Sequence, residues 1–189
     1  MIPDTTVALA ALLISIVLAT IVLIRGGRDL GIGERLGVIV LGLYLPLVVG
    51  VTLGGIPTGG YGNVPVGWAW VNLVPFATIS QQLGDGLTSG MRQLTGNLLL
   101  LVPLGFLLPV ANPRFRQFRT TLVAAVAVSL GIEILQLTIS AVVGFPYRVF
   151  DVDDLILNTA GAALGWAGWR VTLGWFHNAP DEASYSAHP

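Results

Sequence analysis

Ser129-Leu-Gly-Ile-Glu-Ile-Leu-Gln136, followed by Arg148-Val-Phe-Asp-Val-Asp-Asp-Leu-Ile-Leu-Asn158, decides how the rest of the chain is read. The first piece sets an acid inside an apolar run long enough to cross a bilayer. A charged side chain at the bilayer centre costs roughly 2.5–3.5 kcal/mol or more, so such a group faces protein or water and has a partner. The second piece opens another apolar run with an arginine, three aspartates and an asparagine. Glu133 is therefore expected to meet Arg148, Asp151, Asp154 and Asn158 on one side of a membrane, in a pocket that forms the functional site.

Composition places the whole chain in that setting. It is 54% hydrophobic and only 10% charged, with a mean hydropathy of +0.81, whereas soluble domains carry about 25% charged residues. The net charge of −1 provides no field that selects nucleic acid. The absence of cysteine removes disulfides, thiol catalysis and thiolate metal sites. All nine basic residues are arginine, which removes lysine chemistry such as a Schiff base.

The fold expected is all-α, a polytopic membrane bundle of about five transmembrane helices with an interfacial or re-entrant segment. The spans fall near Thr5–Ile24, Leu36–Leu53 (bent at Pro46), Met91–Val110, Thr120–Val143 and Val152–Leu173. The first is read as a retained span, because its leading segment holds Asp4 and no basic side chain. The third carries Pro103, Gly105 and Pro109 and is expected to kink. Gly54–Gly90 opens with glycines and prolines and contains Tyr61, Trp68, Trp70 and Phe76, so it is read as interfacial. A sixth span through Val64–Ile79 is rejected, because Asn72 and Pro75 suit it badly and it would split the arginine clusters between the two sides. Residues 1–175 form one bundle, and 176–189 form a polar, disordered tail.

Arginine placement gives an orientation. Arg25, Arg28 and Arg35 fall in one connection, Arg114, Arg116 and Arg119 in another, and Arg170 at the end of the last span. Five spans put all of these on one side, which the positive-inside rule makes cytoplasmic. The N-terminus is then outside and the C-terminus inside. Glu133 lies about ten residues before the end of an outward-running helix, some 15 Å below the outer rim. Asn97, Asp151, Asp154 and Asn158 fall at similar depth on neighbouring spans. Ser129, Glu133, Gln136 and Ser140 share one helical face. Asp151, Asp154, Asn158, Gly161 and Gly165 follow the same rhythm, and the two glycines let another helix approach closely. The fourth span is the expected neighbour.

Each residue also has a structural reading. Asp151 suits an N-cap, and Asp154 suits the first helical turn. Asp153 falls off the stripe and is expected to be solvated. Arg148 suits a structural ion pair, and Glu133 suits a neutral acid bonded to Gln136 or Asn97. The loop aromatics suit anchors at the headgroup level.

Three elements together resemble the VanZ-like family: Asn72-Leu-Val-Pro-Phe76, Gly96-Asn-Leu-Leu-Leu-Leu-Val-Pro-Leu-Gly-Phe-Leu-Leu-Pro109, and the Ser129–Gly161 region with which this section began. The resemblance runs from Asn72 to about Gly165, while the first two spans match only in hydropathy. It implies a bacterial plasma-membrane protein linked to resistance against teicoplanin, a glycopeptide antibiotic carrying a fatty acyl chain. It supplies no reaction.

Three function classes follow. In the first, the outward pocket, ringed by the loop aromatics, recognises a membrane lipid, a lipid-linked cell-wall component or a lipoglycopeptide. Asn97, Gln136, Arg148 and Asn158 are the ligand-binding candidates, and no cofactor is needed. In the second, a membrane-embedded hydrolase or transferase uses Glu133, Asp151 and Asp154 as catalytic residues, with a divalent cation held by Asp151 and Asp154. In the third, Glu133 relays protons in a transporter. The apolar stretch Leu122–Val128 argues against that pathway, and the absence of an inverted repeat does too.

Overall fold

The computed structural model describes residues 4–26, 30–53, 67, 70–84, 90–146 and 148–172. It is an all-α bundle. The helices are α1 (Asp4–Gly26), α2 (Ile32–Leu53), α3 (Ala77–Gly84), α4 (Gly90–Leu100), α5 (Val102–Ala111), α6 (Phe118–Val143) and α7 (Val152–Thr172). Two two-residue strands, β1 (Val71–Asn72) and β2 (Phe150–Asp151), pair in parallel. Among the described residues, three helical stretches are long and apolar enough to cross a membrane: Ile32–Leu53, Met91–Ala111 and Phe118–Val143. Their mean hydropathies are 2.4, 2.0 and 2.1. Leu12–Ile24 is a shorter apolar stretch within α1.

Proline explains why the third expected span is two helices. Pro103 has no N–H to continue the ladder, and the helix breaks at Leu101, where φ is −104° and ψ is 7°. The Leu100 carbonyl at the break accepts a hydrogen bond from the Tyr44 hydroxyl of α2. By contrast, α6 runs unbroken for 26 residues and stops at Gly144. That glycine takes the left-handed conformation (φ 72°) and returns its N–H to the carbonyls of Ser140 and Ala141.

Glycines set the helix spacing. A methyl group on Gly161 would fall on the Leu98 carbonyl, one on Gly165 on the Val102 carbonyl, and one on Gly105 on the Ala162 carbonyl. The backbone of α7 therefore lies directly against α4 and α5, as small-xxx-small pairs allow. This corrects one expectation: the glycine face of α7 meets the third span, and α6 packs on the polar side instead. Leu101, Leu104, Ala125 and Ala162 form the buried core between these helices, with Leu41, Tyr44, Val128 and Ile132 packed against it.

Residue pairs fix the helix directions. Gly37 abuts Ala111 and Tyr44 bonds Leu100, so α2 is antiparallel to α4 and α5. Asn158 bonds Ser129 and Asp151 bonds Glu133, so α7 reverses against α6. Gly161 and Gly165 abut Leu98 and Val102, so α7 runs with α4 and α5. Being antiparallel to α7, α6 runs with α2 and bonds it through Gln136 and Thr52. The end of α2 and the start of α4 thus lie at the same end of the bundle, and the connection between them makes no net crossing. Val71–Asn72 sits in a strand pair, with turns at 74–76, so no continuous helix occupies Val64–Ile79. Of the expected interfacial segment, 54–66, 68–69 and 85–89 lie outside the described residues, as does the tail expected at 176–189.

Candidate functional site

A cavity of about 620 Å³ opens at the end of the bundle where α2 and α6 finish and α4 and α7 begin. All seven sequence-predicted site residues line it. Asn97 reaches it from α4, Glu133 and Gln136 from α6, and Arg148 from the α6–α7 connection. Asp151, Asp154 and Asn158 come from the start of α7. The periodic stripe on α6 explains the gathering, since Ser129, Glu133, Gln136 and Ser140 are all buried on one face.

Glu133 is 1% exposed. Its Oε2 accepts the backbone N–H of Asp151 at 3.1 Å, which joins the middle of α6 to the first residue before α7. Neither Gln136 nor Asn97 bonds it. Gln136 donates to the Thr52 carbonyl at 2.9 Å, and Asn97 donates to the Asp154 carboxylate. Asn158 donates to the Ser129 hydroxyl at 3.0 Å. Ser140 both donates to the Arg148 carbonyl and accepts the Arg148 N–H, each at 2.9 Å, and so pins that residue's backbone at the rim. The Arg148 charge interacts with both Glu133 and Asp154.

Asp151 caps α7. Its Oδ1 accepts the Asp153 N–H at 2.9 Å and the Asn72 amide at 3.1 Å, and its Oδ2 accepts the Thr78 hydroxyl at 2.6 Å. Both oxygens are committed to holding the Asn72–Thr78 segment on the bundle. Among the described residues, no group of three or more His, Cys, Asp or Glu side chains is arranged to hold a metal ion.

Asp153 corrects the reading of the sequence. It is fully buried rather than solvated. Its two oxygens accept the backbone N–H groups of Phe76 (2.5 Å) and Ile79 (3.0 Å), capping α3 from a different helix. The off-stripe phase that suggested solvent points it at this segment, which hydropathy alone does not place. Phe76 itself holds a left-handed φ of 65° and its side chain is 59% exposed. Trp70, expected around the pocket mouth, is 2% exposed. Neither aromatic lines the cavity, and Tyr61 and Trp68 lie outside the described residues.

Sequence reasoning missed three polar residues of the lining, Thr52, Arg92 and Gln93. Thr52 ends an apolar helix and carries no signal of its own. Arg92 carries a signal only as a cation at the start of the third span.

These features define a class: a helical membrane protein whose bundle holds, at one end, a polar cavity built from four helices. The chain belongs to the VanZ/LLP1 family, whose profile matches residues 36–173. The match takes in α2, so the family likeness extends well before Asn72 and is more than shared hydropathy there. No curated protein and no solved structure matches the chain.

Proposed function

We propose that the cavity is a recognition site for an amphipathic molecule of the cell envelope, open to the outer side of a bacterial plasma membrane. The ligand classes that fit are a lipoglycopeptide such as teicoplanin and a lipid-linked cell-wall precursor. One observation carries this reading: carboxylates, amides and arginines from four helices line a single cavity, while the outer faces of the same helices expose Leu, Val and Ile. A head group would enter the cavity, and an acyl chain would lie along the apolar faces. Arginine placement supports the outward opening. Arg35, Arg114, Arg116, Arg119 and Arg170 sit at the end of the bundle away from the cavity, which the positive-inside rule makes cytoplasmic. In that orientation the N-terminus is outside and the C-terminus inside. The core of Leu101, Leu104, Ala125 and Ala162 lies beneath the cavity and disfavours a proton path to the other side.

The second reading is a hydrolase or transferase acting on a lipid-linked substrate. It is favoured by the presence of Glu133 and Asp154 in one cavity with Arg148, a set that supplies a general acid or base and a cation for a phosphoryl group. Asp151 would serve it by position, since its oxygens are occupied. A divalent cation at Asp151 and Asp154 would have to displace the Asn72 and Thr78 bonds.

The test is Glu133→Gln and Arg148→Ala, each expressed in a teicoplanin-susceptible host with surface level and susceptibility measured on the same cells. Both variants are expected at the surface, with protection lost. Wild-type protection in both at normal surface level would remove the cavity from the function.

A further inference from the structure

The hydrogen-bonding capacity of the cavity is one-sided. Each buried or half-buried amide in its wall spends its nitrogen on the protein: Asn97 on Asp154, Gln136 on Thr52 and Asn158 on Ser129, while Gln93 lines the cavity from an exposed position. The carboxylates of Glu133 and Asp154 stand in the same wall and, when ionised, can only accept. Asn158 is the sharpest case. Its side chain is 2% exposed, and its Oδ1 is buried without a hydrogen-bond partner, a costly and uncommon state. The strong donors stand at the outside, where Arg92 and Arg148 are exposed at the rim. In charged form the lining sets three carboxylates against two guanidiniums.

We propose that the deep end of the cavity binds a primary ammonium group, beside Glu133, Asp154 and Asn158, in a molecule whose phosphate or carboxylate sits at Arg92 and Arg148. This rests on the recognition reading and narrows it to a zwitterionic head group. A primary ammonium brings three N–H donors on one compact charge, which matches the unpartnered Asn158 oxygen beside two carboxylates. Arginine at the rim matches an oxyanion, which it binds by paired hydrogen bonds. A trimethylammonium group carries the same charge with no donor, so it separates hydrogen bonding from simple attraction. The same chemistry occurs in an aminophospholipid head group and in a free aminophosphate.

The test uses purified full-length protein in detergent and follows tryptophan fluorescence during titration. The probes are short-chain phosphatidylethanolamine, phosphatidylcholine and phosphatidylglycerol, and soluble phosphoethanolamine. The ethanolamine lipid is expected to bind about ten-fold or more tightly than the other two lipids, the ratio that loss of charge-assisted hydrogen bonds gives. Glu133→Gln and Asn158→Leu are each expected to bring that ratio near one through weaker binding of the ethanolamine lipid, with thermal unfolding in detergent reporting an intact fold. Glu133→Gln retains an acceptor for the Asp151 N–H, so the test survives if Asn158→Leu fails to fold. Equal binding of the glycerol and ethanolamine lipids, or a preference that persists in Glu133→Gln, overturns the ammonium site and leaves the recognition reading standing. Binding of no probe also overturns the ammonium site, while the recognition reading is decided separately by the susceptibility of Glu133→Gln and Arg148→Ala. Soluble phosphoethanolamine binding as tightly as the lipid keeps the ammonium site and assigns it to a free aminophosphate; weaker binding assigns it to a lipid.

Discussion

The Glu133 carboxylate receives the backbone N–H of Asp151 at 3.1 Å, across 18 residues of sequence. One bond thereby holds a buried acid at its depth in α6 and fixes where α7 starts. Glu133→Leu removes the acceptor and leaves a buried N–H unpaired, a loss of about 1–3 kcal/mol. Thermal unfolding in detergent should show this variant less stable than Glu133→Gln, which keeps an acceptor. Equal stability of the two would mean that the bond contributes nothing.

Asp153 anchors the Asn72–Gly84 segment through two backbone N–H groups. Asp153→Ala should release α3, at a cost of at least the 0.5–2 kcal/mol typical of a lost cap. Hydrogen exchange should speed up at Phe76–Gly84 and stay slow in the middle of α6. Uniform protection across both would show that α3 is held by other contacts.

Ser140 holds the Arg148 backbone by two bonds of 2.9 Å. Ser140→Ala should weaken ligand binding several-fold through loss of the arginine's position, at a stability cost of about 0.5–1.5 kcal/mol per lost bond, the net worth of an ordinary hydrogen bond. Unchanged affinity would mean that Arg148 is positioned without Ser140.

Helix contact at glycine gives a stability test independent of function. Gly165→Ala drives a methyl group into the Val102 carbonyl, and Gly161→Ala into that of Leu98. Each should cost about 1–3 kcal/mol or more by overpacking, read as lowered thermal stability and yield. Gly131 has nothing within 4 Å of the added methyl, so Gly131→Ala should behave as wild type.

The chain has no cysteine, so single-cysteine labelling tests the orientation directly. In intact bacteria, Arg92→Cys should react with an impermeant maleimide and Arg116→Cys should not. The opposite pattern would turn the bundle over and close the cavity to the outside.

Much of the site is legible in the sequence. The 129, 133, 136 and 140 spacing puts four polar groups on one face of α6, and in an apolar environment such a face has to turn inward. The 161 and 165 glycines announced a close helix contact but not its partner. They lie against Leu98 and Val102 of the third span, because the polar side of α7 is taken by α6. Asp153 misled for a related reason. Its phase excludes it from the cavity, but phase says nothing of the Phe76 and Ile79 amides waiting on the other side. Trp70 was assigned to the headgroup level by its type, and is buried at 2% exposure.

By itself, the sequence determined that the protein is helical and membrane-embedded, and which polar groups must face inward. Apolar run length and helical period are local quantities, and water's absence from the bilayer core leaves the backbone little choice. Tertiary structure alone decided which donor each side-chain oxygen receives: Asp151 and Asp153 accept from the Asn72–Ile79 segment, Glu133 accepts the Asp151 N–H, and the Asn158 amide oxygen accepts from none. Those pairings depend on the approach of segments far apart in the chain, and no local period encodes that distance.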